Sequence, residues 1–404
     1  MENNSVPSDR RVWNIATVLA RAGYEAVVVC PQGREDERAL VEQRDGVQIH
    51  RYPLAPGEGG LSGYAREYGA ACWRTWRLVT QLTRERPFDV VHACNPPDFL
   101  LFAAWPARRA GARLIFDHHD LTPELFVTRF GTRARPLHWL TLLCERLSFA
   151  AADVVLATNE SYRQVALTRG RKRAHEVFVV RNGPDLRRGP APSCAPEPQP
   201  DPDRPMLIGY VGTMGPQDGV EHALRALALL GERRRDWRAI FAGAGEAMPA
   251  LRQMRDELHL GDRVEFVGWL EDAQIEQLLA SADICLEPAP SSPLNDVSTM
   301  IKIGEYMAAA RPIVAYDLHE SRITAGNAAV YAQPNDVASY AAHIEQLLDD
   351  PQRRVQMGRE GRARVERELS WEHSERELLA AYGSVLGIAA GDAEPELEPA
   401  MASR

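Results

Sequence analysis

The sequence predicts an α/β protein of two domains, each a doubly wound parallel sheet covered by helices. The first observation is the length, because 404 residues exceed what one hydrophobic core usually serves. The second is that short apolar runs typical of strands alternate with amphipathic stretches typical of helices through both halves of the chain. The third is a proline-rich interruption at residues 187–205, which is typical of a linker.

The first half begins unusually for this fold class. Its strand patterns lie at Ala26–Cys30, Val90–Ala93, Leu114–Asp117, Val154–Ala157 and Val177–Val180. Helical patterns alternate with them, for example at Val12–Ala22 and Leu137–Ala151. A doubly wound domain normally begins with a strand, whereas here a helical pattern starts at about Asp9. We therefore expect the first strand to be missing from this sequence; the alternative is a domain that simply starts with a helix.

The second half repeats the alternation after the linker. Its strand patterns lie at Leu207–Val211, Ala239–Ala242, Val264–Val267, Ile284–Glu287 and Ile313–Ala315. Helical patterns again intervene, as at Val220–Leu230 and Met300–Ala310. The predicted organisation is a first domain at 1–186, the linker at 187–205, a second domain at 206–369, a closing helix at 370–388 and a disordered tail at 389–404.

Composition narrows the class of protein. Apolar residues make up 45% and charged residues 25%, as in soluble globular proteins, and we see neither a membrane-spanning run nor a secretion signal. Six scattered cysteines are expected to be reduced thiols of a cytoplasmic protein. The net charge of −9 argues against a nucleic-acid binder. Residues 1–200 nevertheless carry 27 basic and 22 acidic residues, which suits an anionic acceptor or lipid surface as well as it suits solvated helix faces.

A glycine-rich turn is the first candidate site. The strand pattern ending at Val211 runs into Gly212, Thr213 and Gly215, and a helical pattern begins near Asp218. A strand, a glycine turn and a helix N-terminus can cradle a phosphate, because free backbone N–H groups point outward there. Asp218 is equally explained as an ordinary helix N-cap.

A polar loop after the strand pattern at Ile284–Glu287 is the second candidate site. A helix is expected to open at Ser298 and Thr299, both good N-caps. Lys302 and Glu305 are three residues apart and share a helix face, so they can offer a cation to a diphosphate and a carboxylate to ribose hydroxyls. A surface ion pair is the plainer alternative.

His118, His119 and Asp120 form the third candidate site. They follow the strand pattern at Leu114–Asp117, and ligands of open parallel sheets bind at the carboxyl ends of strands. An imidazole there can donate a hydrogen bond to a sugar hydroxyl, although a structural role for His118 stays open. A metal site at these residues is less favoured because no further ligands can be identified, and we expect no metal.

A segment rich in leucine and aromatic residues, 137–149, follows several arginines. This pattern fits an interfacial helix at a membrane or a core helix of the first domain.

The chain resembles glycosyltransferase family 4, of the GT-B fold, in particular bacterial members that build exopolysaccharide or O-antigen. The resemblance rests on DRRVW (9–13), DVVHACNPPD (89–98), FDHHDLTPEL (116–125), ADVVLATNES (152–161), VVRNGPDL (179–186), VGTMGPQDGV (211–220), VEFVGWL (264–270), KIGEYMAAARPIVAYD (302–317) and SWEHSERELLAAY (370–382). These motifs span nearly the whole chain and are specific for the family, though not for a substrate.

The resemblance implies an enzyme that transfers sugar from a UDP- or GDP-sugar to a glycan or lipid-linked acceptor. From the composition we expect it to be cytoplasmic, and peripheral at the inner face of the membrane if the segment 137–149 is an interfacial helix. The resemblance also implies retention of configuration, no cofactor and no obligatory metal. The closing helix would cross back onto the first domain. The implied catalytic residue is His119, and the acceptor-side candidates are His118, Asp120 and Asn95. The implied donor-binding residues are Gly212, Thr213, Ser298, Thr299, Met300, Lys302 and Glu305.

Three departures from the family pattern leave alternatives open. Val297 stands where the family carries the first glutamate of a pair, and Thr213 and Asp218 stand where many members carry an arginine and a lysine. With the expected loss of the first strand, these changes favour a non-catalytic protein that binds sugar nucleotides or a partner. A sugar-nucleotide epimerase on the same fold is a further alternative, although no convincing set of acid and base carboxylates is found for it.

Overall fold

The computed structural model describes residues 1, 3–55, 60–131, 135–187 and 204–388. Its internal contacts divide the chain into one unit of Met1–Val180 together with the chain from Ser374 onward, and a second unit of Arg181–His373. The first division therefore falls after Val180, six residues before the expected domain end at 186. Residues 188–203 of the expected linker and the expected tail at 389–404 lie outside the described residues.

The first unit contains parallel strands with one antiparallel addition. Its strands are β1 (Ala26–Pro31), β2 (Val41–Arg44), β3 (Val47–Tyr52), β4 (Val90–Cys94), β5 (Arg113–His118), β6 (Val154–Ala157) and β7 (Val177–Val179). Among the described strands, β4, β5, β6 and β7 pair in this order, all parallel, while β1, β3 and β2 form a separate sheet. β2 and β3 form a hairpin that the sequence patterns missed, and it turns at Asp45 and Gly46, both with positive φ.

Helices surround these sheets. They are α1 (Arg10–Arg21), α2 (Gly60–Glu85), α3 (Trp105–Arg109), α4 (Thr122–Phe130), α5 (Arg135–Ala151) and α6 (Glu160–Thr168). The α1 helix begins where expected because the side chain of Asp9 accepts a hydrogen bond from the Val12 N–H. No strand precedes α1 in the described residues 1 and 3–9; the backbone of Met1 bonds to β4, at the His92 carbonyl and the Cys94 N–H.

The second unit is a single parallel sheet over the described strands. These are β8 (Met206–Val211), β9 (Trp237–Ala242), β10 (Val264–Gly268), β11 (Ile284–Glu287), β12 (Ile313–Tyr316) and β13 (Ala329–Ala332), in the order β10-β9-β8-β11-β12-β13. Because the chain winds outward in both directions from β8 and β11, the crevice of the sheet lies at the carboxyl ends of these two strands. Parallel strands in both units confirm the predicted α/β class.

Both faces of the second sheet are covered. Its helices are α7 (Val220–Arg233), α8 (Met248–Glu257), α9 (Asp272–Ser281), α10 (Ile301–Ala308), α11 (His319–Ala325), α12 (Val337–Asp349) and α13 (Pro351–Arg364). One face packs residues such as Tyr210, Leu224 and Trp237, and the other packs Leu207, Ile303 and Tyr306. Burial on both faces explains why the strands read as continuous apolar runs rather than as alternating patterns.

The last described helix is α14 (Trp371–Leu386). From Ser374 onward it groups with the first unit, where Tyr382 Oη lies 3.0 Å from Nδ1 of His92 and Glu375 pairs with Arg21. No disulfide bond links the described cysteines Cys30, Cys72, Cys94, Cys144 and Cys285, while Cys194 lies outside the described residues.

Gly219, which ends the turn before α7, gives a direct test of this packing. It has φ of 68°, and a Cβ atom there would lie 2.2 Å from the carbonyl oxygen of Pro288. We expect Gly219→Ala to destabilise the second unit by about 2 kcal/mol or more, because strain and a clash with backbone combine. The measurement is urea unfolding followed by circular dichroism. Gly261→Ala, where nothing lies within 4 Å of the added Cβ, is the control and should unfold like the parent chain.

Candidate functional site

The carboxyl ends of β8 and β11 bring one group of predicted residues together. Gly212 directly follows β8 with φ of 149°, and a Cβ there would lie 2.9 Å from Cε of Lys302. Glycine is therefore required both for the backbone angle and for the close approach of the lysine side chain. The Gly212 N–H donates to the Ala242 carbonyl oxygen at 3.0 Å, and the Met214 N–H donates to that of Ala244. The expectation that these turn N–H groups face a ligand is thus wrong for Gly212 and Met214.

Asp218 stabilises the glycine turn from inside. Its carboxylate accepts hydrogen bonds from the Thr213 hydroxyl at 3.1 Å and from the Gly215 N–H at 2.9 Å. Helix α7 starts at Val220 with Gly219 as its N-cap, so the N-cap interpretation of Asp218 is wrong. Thr213 itself is exposed, although its hydroxyl is bonded to the buried Asp218.

Lys302 is the centre of this group. It is only 7% exposed, and its Nζ lies 3.1 Å from Oε2 of Glu287, 3.6 Å from Oδ1 of Asp218 and 5.0 Å from the centre of the Tyr210 ring. The alternative of a surface ion pair between Lys302 and Glu305 is therefore wrong for the lysine. A buried ammonium needs such partners, because its desolvation would otherwise be prohibitive.

The buried charges shift one another's titration. Burial alone would lower the pKa of Lys302, but the nearby Glu287, Tyr210 and Asp218 raise it above its ordinary value. Burial raises the pKa of Glu287, and the attraction of Lys302 only partly offsets that rise. Lys302 is therefore charged at any physiological pH, and its charge is already balanced inside the protein.

The loop before α10 differs from the expected helix start. The helix begins at Ile301 rather than at Ser298, since a 3₁₀ turn occupies Asn295–Val297. Ser298 Oγ donates to the Leu294 carbonyl oxygen at 2.7 Å, and Met300 holds the N-cap position without a side-chain bond. Neither predicted hydroxyl caps the helix. The backbone of the partly exposed residues 298–300 nevertheless lies at the N-terminus of α10, whose dipole favours an anion.

Asn295 connects this loop to the glycine turn. Its Nδ2 donates to the carbonyl oxygens of Gln217 at 2.9 Å and Pro290 at 2.8 Å. Thr299 Oγ1 lies 3.5 Å from Oε2 of Glu320, which is buried at the start of α11. Glu305 is partly exposed on α10, one turn beyond the helix start. The hydrogen bonds of Asn295 therefore connect the glycine turn to the loop that precedes α10.

In the first unit, Asp117 is the centre of the residues around β5. It is fully buried, and both its oxygens accept hydrogen bonds from the guanidinium of Arg11, each at 2.8 Å. Burial would raise the pKa of Asp117, but Arg11 and the neighbouring histidines hold it well below its ordinary value. A buried carboxylate that is ionised in this way can orient and charge an imidazole beside it.

His119 follows β5 and lies against this carboxylate. Its Nδ1 is 3.7 Å from Oδ2 of Asp117, and its backbone N–H donates to Oδ1 of Asn95 at 2.9 Å. Nδ1 is buried, so the 14% of the side chain that remains exposed comes from other ring atoms. Burial would lower the pKa of His119, but Asp117 raises it to about 9. The ring is therefore an imidazolium at neutral pH, with a hydrogen-bond donor on its far side.

Two of the acceptor-side candidates prove to be structural. His118 is fully buried, with Nε2 3.2 Å from Oε1 of Glu145 and the Phe149 ring 4.8 Å away, so its predicted acceptor contact is wrong. Asn95 is also fully buried; its amide bonds to Asp98 and to the backbone of residues 119 and 120. It positions the turn rather than a ligand. Asp120 is partly exposed and stays a candidate.

One group in the described part of the chain has the composition of a metal site. Ligand atoms of His92, Cys94 and Asp117 all lie within 4.8 Å of one another. The Arg11 guanidinium already occupies both oxygens of Asp117, so its positive charge competes with any cation there. The arrangement fits the ion pair better than a metal.

Several residues at the centre of these two sites are not identified by the sequence patterns. The strand pattern marks Glu287 only as its last residue, and it assigns no role to Arg11, Asp117 or Asn295. A charged residue within an apolar strand pattern is the available signal for Glu287 and Asp117, because a buried carboxylate requires a partner. Nothing local marks Arg11, whose partner lies 106 residues away.

The buried ion cluster predicts a specific rescue of stability. Lys302→Met removes the cation beside the buried Glu287, whose carboxyl must then stay ionised without a partner or take up a proton, and this should cost about 3–5 kcal/mol of unfolding free energy. Lys302→Met/Glu287→Gln also removes the unpaired carboxyl and should recover most of that loss. Urea unfolding of both variants measures this, and equal destabilisation of the two would contradict the assigned ion pair.

The raised pKa of His119 predicts a titration well above that of ordinary histidines. The folded pKa of about 9 exceeds the unfolded value. The interaction of the charged His119 with Asp117 therefore stabilises the folded state fully below about pH 6.5, and this stabilisation is lost as the pH rises through about 9. Nuclear magnetic resonance of histidine-labelled protein should show one imidazole that titrates near pH 9 and is absent from His119→Gln. An imidazole at position 119 that titrates below pH 7 would contradict the contact with Asp117.

The chain is similar to known proteins along both units. Residues 8–183 match the family model of a glycosyl transferase 4-like domain, and residues 205–350 match that of glycosyl transferases group 1. A 2-deoxystreptamine glucosyltransferase from Streptomyces kanamyceticus is 30% identical over 397 residues, which cover 93% of this chain and 98% of that protein.

Solved structures share the fold. Sucrose-phosphate synthase from Thermosynechococcus elongatus gives a TM-score of 0.76 at 18% identity, over 96% of each chain. HepE from Anabaena, solved with UDP and glucose, gives 0.71 at 19% identity, over 95% of this chain and 98% of that one. The two family matches, the full-length relative and the shared fold show that the chain belongs to glycosyltransferase family 4, of the GT-B fold.

Proposed function

We propose that the protein is a retaining glycosyltransferase that moves a sugar from a UDP- or GDP-sugar to a hydroxyl of a glycan or lipid-linked acceptor in the synthesis of cell-surface polysaccharide. The observation that carries this proposal is the convergence of Gly212, Lys302 and the N-terminus of α10 at the crevice of the second sheet. The complex of HepE with UDP and glucose supports a nucleotide-sugar donor by analogy.

The chemistry requires stabilisation of a diphosphate as it leaves the sugar. Negative charge on the leaving group would face the amino end of α10, formed by Ser298, Thr299 and Met300. Lys302 would act from behind the glycine turn, where Glu287 and Asp218 already attract it. Its contribution is therefore mainly to hold the turn in shape and to offset the carboxylates beside it. Glu305, one turn further along α10, would accept hydrogen bonds from the ribose hydroxyls.

His119 would act at the acceptor or sugar side as a donor. Because its pKa is raised to about 9, the ring holds its proton at neutral pH and cannot serve as a general base there. It can instead donate a charged hydrogen bond to a sugar hydroxyl or carbonyl group. On this proposal transfer should decline as the pH rises past about 9.

A non-catalytic protein that binds sugar nucleotides is the second candidate. It is favoured by the internal compensation of Lys302, and by Val297 at the position where the family carries a glutamate. The two candidates differ in one observable, turnover.

The test combines binding and transfer with a panel of UDP- and GDP-sugars. Glu305→Ala should weaken donor binding at least about tenfold in calorimetry, because hydrogen bonds to a charged group contribute about 1.5–3 kcal/mol. Glu257→Ala, an exposed glutamate on α8, is the control and should bind normally. His119→Ala should lower transfer far more than donor binding, and the exposed His175→Ala should change neither.

Each outcome bears on one part of the proposal. Binding without any turnover would favour the non-catalytic candidate, and equal losses in binding and transfer for His119→Ala would remove it from the reaction centre. Product of inverted anomeric configuration would contradict retention. Loss of transfer in a metal chelator would contradict a reaction that needs no metal ion.

A further inference from the structure

Helix α5 has its apolar side turned outward. Exposed fractions are 70% for Trp139, 52% for Leu140, 51% for Leu143 and 47% for Leu147. At 100° per residue these four side chains lie on one stripe of the helix. Soluble proteins rarely expose a contiguous stripe of this kind without a partner.

The opposite side of α5 is anchored in the first unit. Glu145, Ser148 and Phe149 are fully buried there. Glu145 pairs with His118 and Arg169, and Ser148 Oγ donates to the Asp98 carbonyl oxygen at 2.8 Å. The helix is therefore fixed in this orientation, and the outward stripe is not available to fill the core.

The edge of the stripe is basic. Arg135 and Arg146 are both exposed, and neither forms an ion pair within the described part of the chain. They lie on the same flank of the stripe, next to Trp139. The only carboxylate of α5 is Glu145, which is buried on the other side. The outward surface of this helix therefore carries apolar and positively charged groups without a negative one.

We propose that the first unit docks on a bilayer containing anionic phospholipid, with the outward stripe of α5 lying in the interfacial region. An interfacial helix combines an apolar face with arginines at the level of the headgroups, and tryptophan favours the same region. A second copy of the chain fits less well, because a symmetric contact through this stripe would bring uncompensated arginines together. The excess of basic residues in residues 1–200, 27 against 22, adds long-range attraction to the same surface.

Such docking places the protein on the surface of the membrane rather than across it. Over the described residues, no helix combines the length and apolarity needed to cross a bilayer. The proposal does not depend on the proposed function, since donor turnover can be measured without lipid.

The test is cosedimentation of the full chain with vesicles of phosphatidylcholine containing about one third phosphatidylglycerol. The full chain should bind these vesicles and bind pure phosphatidylcholine vesicles more weakly. Leu140→Glu/Leu143→Glu should weaken binding at least about tenfold. The substitution removes two leucines that would be buried in the bilayer and adds two negative charges that the anionic lipid repels. Arg135→Gln and Arg146→Gln should each weaken it about fivefold, and high salt should do the same in the parent chain.

The matched control is Leu40→Glu/Val41→Glu, which adds the same charge at two exposed aliphatic residues of β2 and the position before it. It should bind vesicles like the parent chain. All variants should keep the parent circular dichroism and urea midpoint, because both α5 leucines are about half exposed. Bromine-labelled lipid should quench tryptophan fluorescence in the parent chain, and Trp139→Phe should lose most of that quenching.

Three results would overturn the proposal. The parent chain could fail to bind the anionic vesicles, or Leu140→Glu/Leu143→Glu could bind as tightly as the control. Alternatively, the parent chain could be a dimer that ignores vesicles and becomes a monomer in Leu140→Glu/Leu143→Glu, which would assign the stripe to a second copy.

Discussion

The ammonium of Lys302 determines the shape of the candidate donor site. The Lys302 side chain extends from the first turn of α10 to the turn after β8, where its ammonium pairs with Glu287 at the end of β11. Three separate chain segments therefore meet at one buried charge. Removal of one partner alone is destabilising, because a lone buried ion costs several kcal/mol. Gly212 and Asp218 both lie beside this charge, and the loop before α10 leads directly into the turn that carries Lys302.

The first unit uses the same principle at the end of β5. Arg11 and Asp117 form a buried pair with two hydrogen bonds, and that pair fixes the carboxylate against which His119 lies. The consequence differs, however. In the second unit the carboxylates neutralise the cation, whereas in the first unit the ionised Asp117 keeps an additional imidazole charged. The positive charge of Lys302 is thus balanced by its neighbours, whereas the positive charge of His119 remains available to a ligand.

The fold could be predicted from the sequence because buried parallel strands are apolar along their whole length. The hairpin of β2 and β3 was missed, since Val41–Arg44 is exposed and polar on an edge, although Asp45 and Gly46 are a typical hairpin turn. The residue types of the sites were predictable from their positions after strands. Their contacts were not, because Lys302 and Glu287, or Arg11 and Asp117, are paired only by the three-dimensional arrangement of distant segments.

The compensation of Lys302 has a consequence for how a diphosphate could be recognised. With Glu287 and Asp218 both beside the ammonium, the cluster is not a source of free positive charge. At the glycine turn, the negative potential of these carboxylates cancels much of the positive potential of Lys302, so an anion there is attracted only weakly. Recognition would therefore fall mostly on the amino end of α10, whose partial charge has no such competitor in its own first turn. On the proposed function, a turn with Thr213 and Asp218 in place of basic residues would still be compatible with an anionic ligand, because the turn would supply the shape of the site and the helix dipole would supply the positive potential.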